Sequence, residues 1–97
     1  MVLEITTFRL KDGMSIDDFL LADKAVQQEV FPNTRGYLRR TTAQASDGEW
    51  LVAVLWWGEI EIEEFNARVI NEPLQEAFDE LIDRSTISTK RYTDIGG

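Results

Sequence analysis

Residues 50–57 read Trp-Leu-Val-Ala-Val-Leu-Trp-Trp, a run that is apolar at every position. Alternate side chains of a β-strand point to opposite faces of its sheet. Val52, Val54 and Trp56 therefore share one face, and the residues between them share the other. Leaving these three side chains in water would forfeit about 6 kcal/mol of burial, which is comparable with the net stability of a whole domain, roughly 5–15 kcal/mol. The run therefore predicts a strand whose sheet is covered on both faces.

The chain is too short to cover both faces by itself. Its 97 residues suit a single domain spanning 1–97, which is large enough for one hydrophobic core. The helices of such a domain are sufficient to cover one face of a small sheet. We therefore expect a second copy of the chain to cover the other face, as in a homodimer.

The composition excludes several classes of site. The chain contains no cysteine and no histidine, so disulfides, thiolate metal sites, histidine triads and histidine-bound zinc or haem are excluded within one chain type. We expect no metal and no cofactor. The net charge of −8 disfavours nucleic acid and anionic membrane surfaces as partners, and no apolar stretch approaches the roughly 20 residues of a membrane span. A cytoplasmic location is expected.

The sequence predicts further elements on both sides of this run. In chain order they are a strand over 2–10, a helix that begins after Ser15 and ends at Phe31, a strand over 37–45, a helix from Glu59 that Pro73 divides into two segments, and a strand over 85–92. The order β-α-β-β-α-β predicts an α+β, ferredoxin-like sandwich, with an antiparallel four-stranded sheet and two helices on one face. Two such sheets placed face to face form a dimeric α/β barrel.

Asp47-Gly48 predicts how the second and third strands are joined. This dipeptide is typical of a two-residue type I′ hairpin turn. With that turn, Arg39 lies across from Trp56 and Arg40 across from Leu55. A register shifted by one residue would exchange the faces on which the two arginines lie.

The candidate ligand-binding residues are aromatic and charged side chains of the predicted strands. They are Glu4, Phe8, Tyr37, Arg39, Arg40, Trp56 and Trp57. An arginine in a half-buried cavity can hold a carboxylate or an enolate oxygen, or it can simply pair with Glu4. The aromatic side chains suit either the wall of a site for a flat ligand or core and interface packing. No residue is identified as catalytic, and a carboxylate such as Glu4 is the only available type of general base.

Other acidic residues have simpler interpretations. Asp23 lies beside the apolar stripe of the first helix, where pairing with Lys24 or exposure at the edge of the stripe is expected. The acidic cluster of the second helical region is interpreted as a solvated helix face; its members are Glu72, Glu76, Asp79, Glu80 and Asp83.

A longer pattern points to a family. The apolar strand 51–57 is followed by an acidic linker, Phe65, the proline break 71–74, Ala77-Phe78 and a last strand that ends at Tyr92. In this order of features the chain resembles the antibiotic biosynthesis monooxygenase-like group of the dimeric α/β barrel superfamily. The resemblance implies a cofactor-independent monooxygenase that acts on a small aromatic or polyketide-like substrate in a dimer cavity. Such a substrate ionises to an electron-rich enolate or phenolate that itself reduces oxygen, and the protein supplies a dry pocket and a donor for the anion.

The resemblance leaves alternatives open. Haem-degrading members of the group rely on an asparagine, a tryptophan and a histidine, and an approximate alignment places Phe8, Arg68 and Phe78 at those positions, which argues against that reaction. A non-catalytic homodimer that binds a small ligand is one alternative to the monooxygenase. An isomerase or lyase on the same scaffold is another, so whether the chain is an enzyme stays open at this point.

Overall fold

The computed structural model of the chain describes residues 1–95. The strands are β1 (Val2–Leu10), β2 (Tyr37–Gln44), β3 (Trp50–Trp56) and β4 (Ile82–Thr93), and the helices are α1 (Ile16–Ala25), α2 (Glu59–Val69) and α3 (Pro73–Glu80). A π-helical turn over Val26–Val30 extends α1. The four strands form an antiparallel sheet in the order β2-β3-β1-β4. The predicted α+β, ferredoxin-like fold is confirmed.

The helix boundaries follow local capping chemistry. Ser15 precedes α1, and its hydroxyl accepts a hydrogen bond of 3.3 Å from the backbone N–H of Asp18, as an N-cap does. Pro73 occupies the first turn of α3, where its missing N–H has no cost. The Glu72 carboxylate accepts from the N–H of Leu74 at 3.4 Å. Pro73 therefore begins a new helix and does not merely bend α2.

The core lies between the helices and one face of the sheet. Val52, Val54 and Trp56 are buried on this face, which is the alternation that the apolar run predicts. Phe19 of α1 packs on Trp50 with ring centroids 4.6 Å apart. Among residues 1–95, no helix has both the length and the apolar character that a membrane span requires.

The β2–β3 hairpin differs from its prediction by one residue. The loop contains Ser46, Asp47 and Gly48, because the N–H of Ala45 bonds to the carbonyl of Glu49 at 2.8 Å. Gly48 has a φ of +92°, which is the left-handed residue that closes a bulged three-residue hairpin. The predicted two-residue turn was therefore wrong, although the connection is tight.

The extra loop residue exchanges the faces of the sheet on which the two arginines lie. Arg40 lies across from Val54 on the helix-covered face, whereas Arg39 lies across from Leu55 on the opposite face. The predicted pairings of both arginines were therefore wrong by one position. A second register shift, between Tyr37 and Arg39, places Tyr37 across from Trp56.

The opposite face of the sheet is apolar at its centre, and we call it the open face. Its residues include Leu3, Ile5, Leu51, Ala53, Leu55 and Tyr92. Leu3 lies between Leu55 and Tyr92 in the register of the sheet. Tyr92 is 47% exposed. The apolar run thus has two apolar faces, of which the helices of this chain cover one.

Candidate functional site

A pocket of about 310 Å³ lies between the sheet and the helices of the single chain. Its volume is at the lower end of the range for small-ligand sites, roughly 300–1,000 Å³. The apolar part of its wall includes Phe8, Phe31, Phe65 and Phe78. The polar part consists of Glu4, Thr6, Arg40, Asn66, Gln75 and Asp79. A largely aromatic wall with a few polar groups is suited to a flat organic molecule.

Arg40 is the buried cation of this pocket. Its side chain is only 2% exposed and is paired with Asp23 of α1, whose side chain is 15% exposed. Nη2 donates to Oδ1 of Asp23 at 2.8 Å. Nη1 lies 3.3 Å from both Oε1 of Gln27 and Oγ1 of Thr42. The guanidinium is thus held on one side by groups of α1, the π-helical turn and β2.

The Nε donor of Arg40 is buried and is left without a partner within the described residues. The guanidinium carbon lies 5.2 Å from the centroid of the Phe31 ring and 5.7 Å from that of Phe78. A buried N–H without an acceptor costs about 1–3 kcal/mol. An oxygen of a ligand in the pocket that accepts from Nε would remove this cost.

Asp23 is the partner that sequence reasoning missed. Its carboxylate accepts from Arg40 and, at 2.9 Å, from the hydroxyl of Thr42; the expected interpretation, Lys24 or solvent, was wrong. The sequence feature that could have identified Asp23 is its position on the buried stripe of α1, four residues after the fully buried Phe19. A carboxylate on that stripe requires a buried cation, but the hairpin register decides which arginine reaches it.

Glu4 lines the pocket and is paired with a third arginine. Its Oε2 accepts from Nε of Arg91 at 2.9 Å, and Nη1 of Arg91 also donates to Glu63 of α2 at 3.0 Å. The hydrogen bond to Glu4, followed by the one to Glu63, raises the pKa of Arg91. This chain of charges ties β1 and β4 to α2. The alternative in which Arg39 or Arg40 pairs with Glu4 was wrong, because Arg91 lies across from Glu4 in the sheet.

Asp79 is the second carboxylate of the pocket. Burial raises the pKa of its carboxyl, while a hydrogen bond from Gln75 and the charge of Arg84 partly offset this effect. Nε2 of Gln75 donates to Oδ1 at 3.0 Å. Asp79 is exposed as a residue, which agrees with the solvated-face interpretation of the acidic cluster, although burial partly desolvates its carboxyl.

The other predicted residues lie outside the pocket wall. Tyr37 and Trp56 pack behind it with ring centroids 6.2 Å apart, and the hydroxyl of Tyr37 accepts from Nε2 of Gln27 at 3.0 Å. Arg39 is exposed, and Trp57 is 65% exposed. Among the seven candidates, the structure therefore brings Glu4, Phe8 and Arg40 together at the pocket.

Comparison with known proteins shows which of them share this fold. No protein-family model and no curated protein matches the chain, but several solved structures do. SnoaB, a cofactor-independent oxygenase from Streptomyces nogalater, superposes with a TM-score of 0.80 at 15% identity, over 99% of this chain and 94% of that chain. A monooxygenase from the gene ActVA-Orf6 of Streptomyces coelicolor, solved with the ligand nanaomycin D, gives a TM-score of 0.73 at 18% identity, over 99% and 88%.

A third solved structure, described as an antibiotic biosynthesis monooxygenase, is covered completely. Its TM-score is 0.76 at 12% identity, over 99% of this chain and 100% of that chain. At these identities the agreement concerns the path of the backbone. The chain has the fold of the antibiotic biosynthesis monooxygenase-type proteins, as its sequence resemblance predicts.

Proposed function

We propose that the chain is a cofactor-independent monooxygenase that acts on a small aromatic or polyketide-like substrate with an ionisable hydroxyl or enol. The observation that carries the proposal is Arg40, whose buried Nε has no partner within residues 1–95, in the wall of a pocket that is also lined by phenylalanines. A fixed donor in a water-poor site stabilises an oxygen on which negative charge develops. The fold shared with SnoaB, described as a cofactor-independent oxygenase, supports the same activity.

The proposed substrate site is the pocket inside each chain. A cavity between two facing sheets would instead be lined by residues of the open face. The pocket holds the buried donor, two carboxylates and the aromatic wall, whereas the open face at its centre carries aliphatic side chains such as Leu3, Ile5 and Leu55. The pocket is therefore the better equipped of the two sites for an ionising substrate.

In the proposed reaction the substrate supplies the electrons. A methylene next to the ionised ring system loses its two hydrogens and gains one oxygen atom of O₂ as a carbonyl. The second oxygen atom leaves as water with the two hydrogens, so the reaction needs no further reductant. Arg40 donates from Nε to the substrate oxygen that becomes anionic. Asp79, whose pKa is raised by burial, is our candidate acceptor for the substrate proton, since Glu4 is already bonded to Arg91.

We further propose that two copies pair through the open face. Three rows of the sheet carry apolar residues there: Tyr92, Leu3 and Leu55 form one row, Ile5 and Ala53 the next, and Leu51 the third. A contiguous apolar patch at the centre of a sheet is typical of an interaction surface. A second copy would bury this patch and leave both pockets intact.

Oxygen uptake with a panel of anthrones, which carry both an ionisable oxygen and a methylene, tests the proposal. We expect the wild type to consume O₂ with at least one of them. R40K keeps a cation beside Asp23 but lacks the Nε donor, and it should lower kcat by about 10²–10³, the usual effect of losing one such donor. R39K makes the same change at the adjacent, exposed residue and should have no effect.

Two results would contradict the proposal. Binding without oxygen uptake would favour a non-catalytic ligand-binding protein. Conversion of the same compounds without oxygen would favour an isomerase or a lyase.

A further inference from the structure

We infer that the pocket selects a ligand that is uncharged when it binds, a phenol or an enol rather than a carboxylic acid, and that Asp23 sets this selectivity. The inference rests on the proposed ligand site. It concerns binding alone, and it can therefore be tested whether or not any oxygen is consumed.

The positive charge of Arg40 is already compensated inside the protein. Oδ1 of Asp23 lies 2.8 Å from Nη2, and both side chains are largely removed from solvent. A ligand at Nε therefore meets a polarised N–H donor of a guanidinium whose charge is balanced by the carboxylate bonded to Nη2. Such a donor suits a hydroxyl, keto or enol oxygen, including one that ionises after binding, and it attracts a carboxylate from solvent less than an unpaired arginine would.

The other charged groups of the wall do not supply a positive field. Glu4 is paired with Arg91, but Arg91 also bonds Glu63, so this group of three carries a net negative charge. Asp79 adds a carboxylate at the α3 side, with Arg84 as the nearby cation. A carboxylate ligand would face Glu4 and Asp79, which line the pocket beside its apolar wall, where like charges repel more strongly than in water.

The charge of the whole chain acts in the same direction. A net charge of −8 repels an anionic ligand before it reaches the pocket and slows its association. An uncharged phenol enters without this barrier. It becomes anionic only after binding, when the donor of Arg40 is already in place.

The experiment compares two ligands of similar shape, 2-naphthol and 2-naphthoate, by calorimetry at pH 7 without oxygen. At this pH the first is uncharged and the second is an anion. We expect the wild type to bind 2-naphthol about tenfold more tightly or better. D23N keeps the shape of the side chain and removes its charge, so it should tighten 2-naphthoate binding. The ratio of the two dissociation constants, 2-naphthoate to 2-naphthol, should fall by about tenfold. D79N, at an exposed residue, removes a wall charge without touching the buried pair and should act in the same direction.

D12N is the matched control, because Asp12 is an exposed residue of the β1–α1 turn and its loss changes the net charge equally. Equal shifts in D12N, D23N and D79N would assign the effect to net charge and overturn the role of the pocket residues. Equal or tighter binding of 2-naphthoate by the wild type, or no binding of either compound, would overturn the inference. A preference for 2-naphthol without any oxygenase activity would refute the proposed function and leave the selectivity standing. Oxygenase activity together with a preference for 2-naphthoate would refute the selectivity and support the proposed function.

Discussion

Oδ1 of Asp23 lies 2.8 Å from Nη2 of Arg40 and joins α1 to the second strand of the sheet across the buried face. A buried ion pair of this kind is costly to break from one side, because the remaining charge keeps its desolvation penalty without its partner. The pair thus fixes the donor of the pocket and, at the same time, makes the fold depend on both residues.

We therefore predict that D23A lowers the free energy of unfolding by about 3–5 kcal/mol. The double variant D23A/R40M, which removes both charges, should be more stable than D23A alone. Urea unfolding of the wild type, D23A, R40M and the double variant measures the coupling. K24A changes the neighbouring exposed residue and should stay within about 0.5 kcal/mol of the wild type. Additive effects of D23A and R40M would contradict the pairing.

Gly36 is predicted to be irreplaceable for two separable reasons. Its φ is +79°, and a Cβ at this position would overlap the side chain of the buried Glu61. G36A should lower the free energy of unfolding by about 2–5 kcal/mol, from backbone strain and overpacking together. Gly13 has the same φ but open space around it, so G13A should show only the strain, about 1–2 kcal/mol. Equal losses in the two variants would show that Glu61 moves aside freely.

Most of the fold could be predicted from the sequence because its signals are local. The apolar run at 50–57, the N-cap at Ser15 and Pro73 each act within a few residues. The site depends instead on register. The loop that contains Gly48 has either two residues or three, and its length decides which of Arg39 and Arg40 reaches Asp23. That choice involves small differences in turn energy, so the pattern of residues indicates an arginine in the pocket without selecting one of the two.

Two aspartates are predicted to change stability with pH in opposite directions. Burial raises the pKa of Asp79 above the ordinary value of 3.8. Its contribution to stability is therefore present below that value and lost as the pH rises through the folded-state pKa. D79N has no carboxyl to ionise at this position. Its free energy of unfolding, relative to that of the wild type, should therefore be higher at neutral pH than at acidic pH. Unfolding curves across pH 3–7 and an NMR titration of the Asp79 carboxyl provide the measurement.

Asp47 supplies the opposite case in the hairpin loop. The backbone N–H of Glu49, together with Arg9, lowers the pKa of its carboxyl. Its contribution is present above the ordinary Asp pKa and lost as the pH falls through the lowered value. D47N should therefore lower the free energy of unfolding more at neutral pH than at acidic pH. The same direction of change in D79N and D47N would refute one of the two assignments.

The two faces of β3 are predicted to respond differently to a charge. Leu55 lies on the open face and Val54 on the buried face, one residue apart in the same strand. L55D should leave the fold intact and dissociate the proposed homodimer, because it places a carboxylate in the apolar patch without entering the core. V54D should instead unfold the chain, since an unpaired carboxylate cannot be accommodated in the core. Light scattering over a dilution series, with circular dichroism on the same samples, separates the two effects. A monomeric wild type, or an L55D variant whose mass is unchanged, would mean that the open face is not where two copies meet.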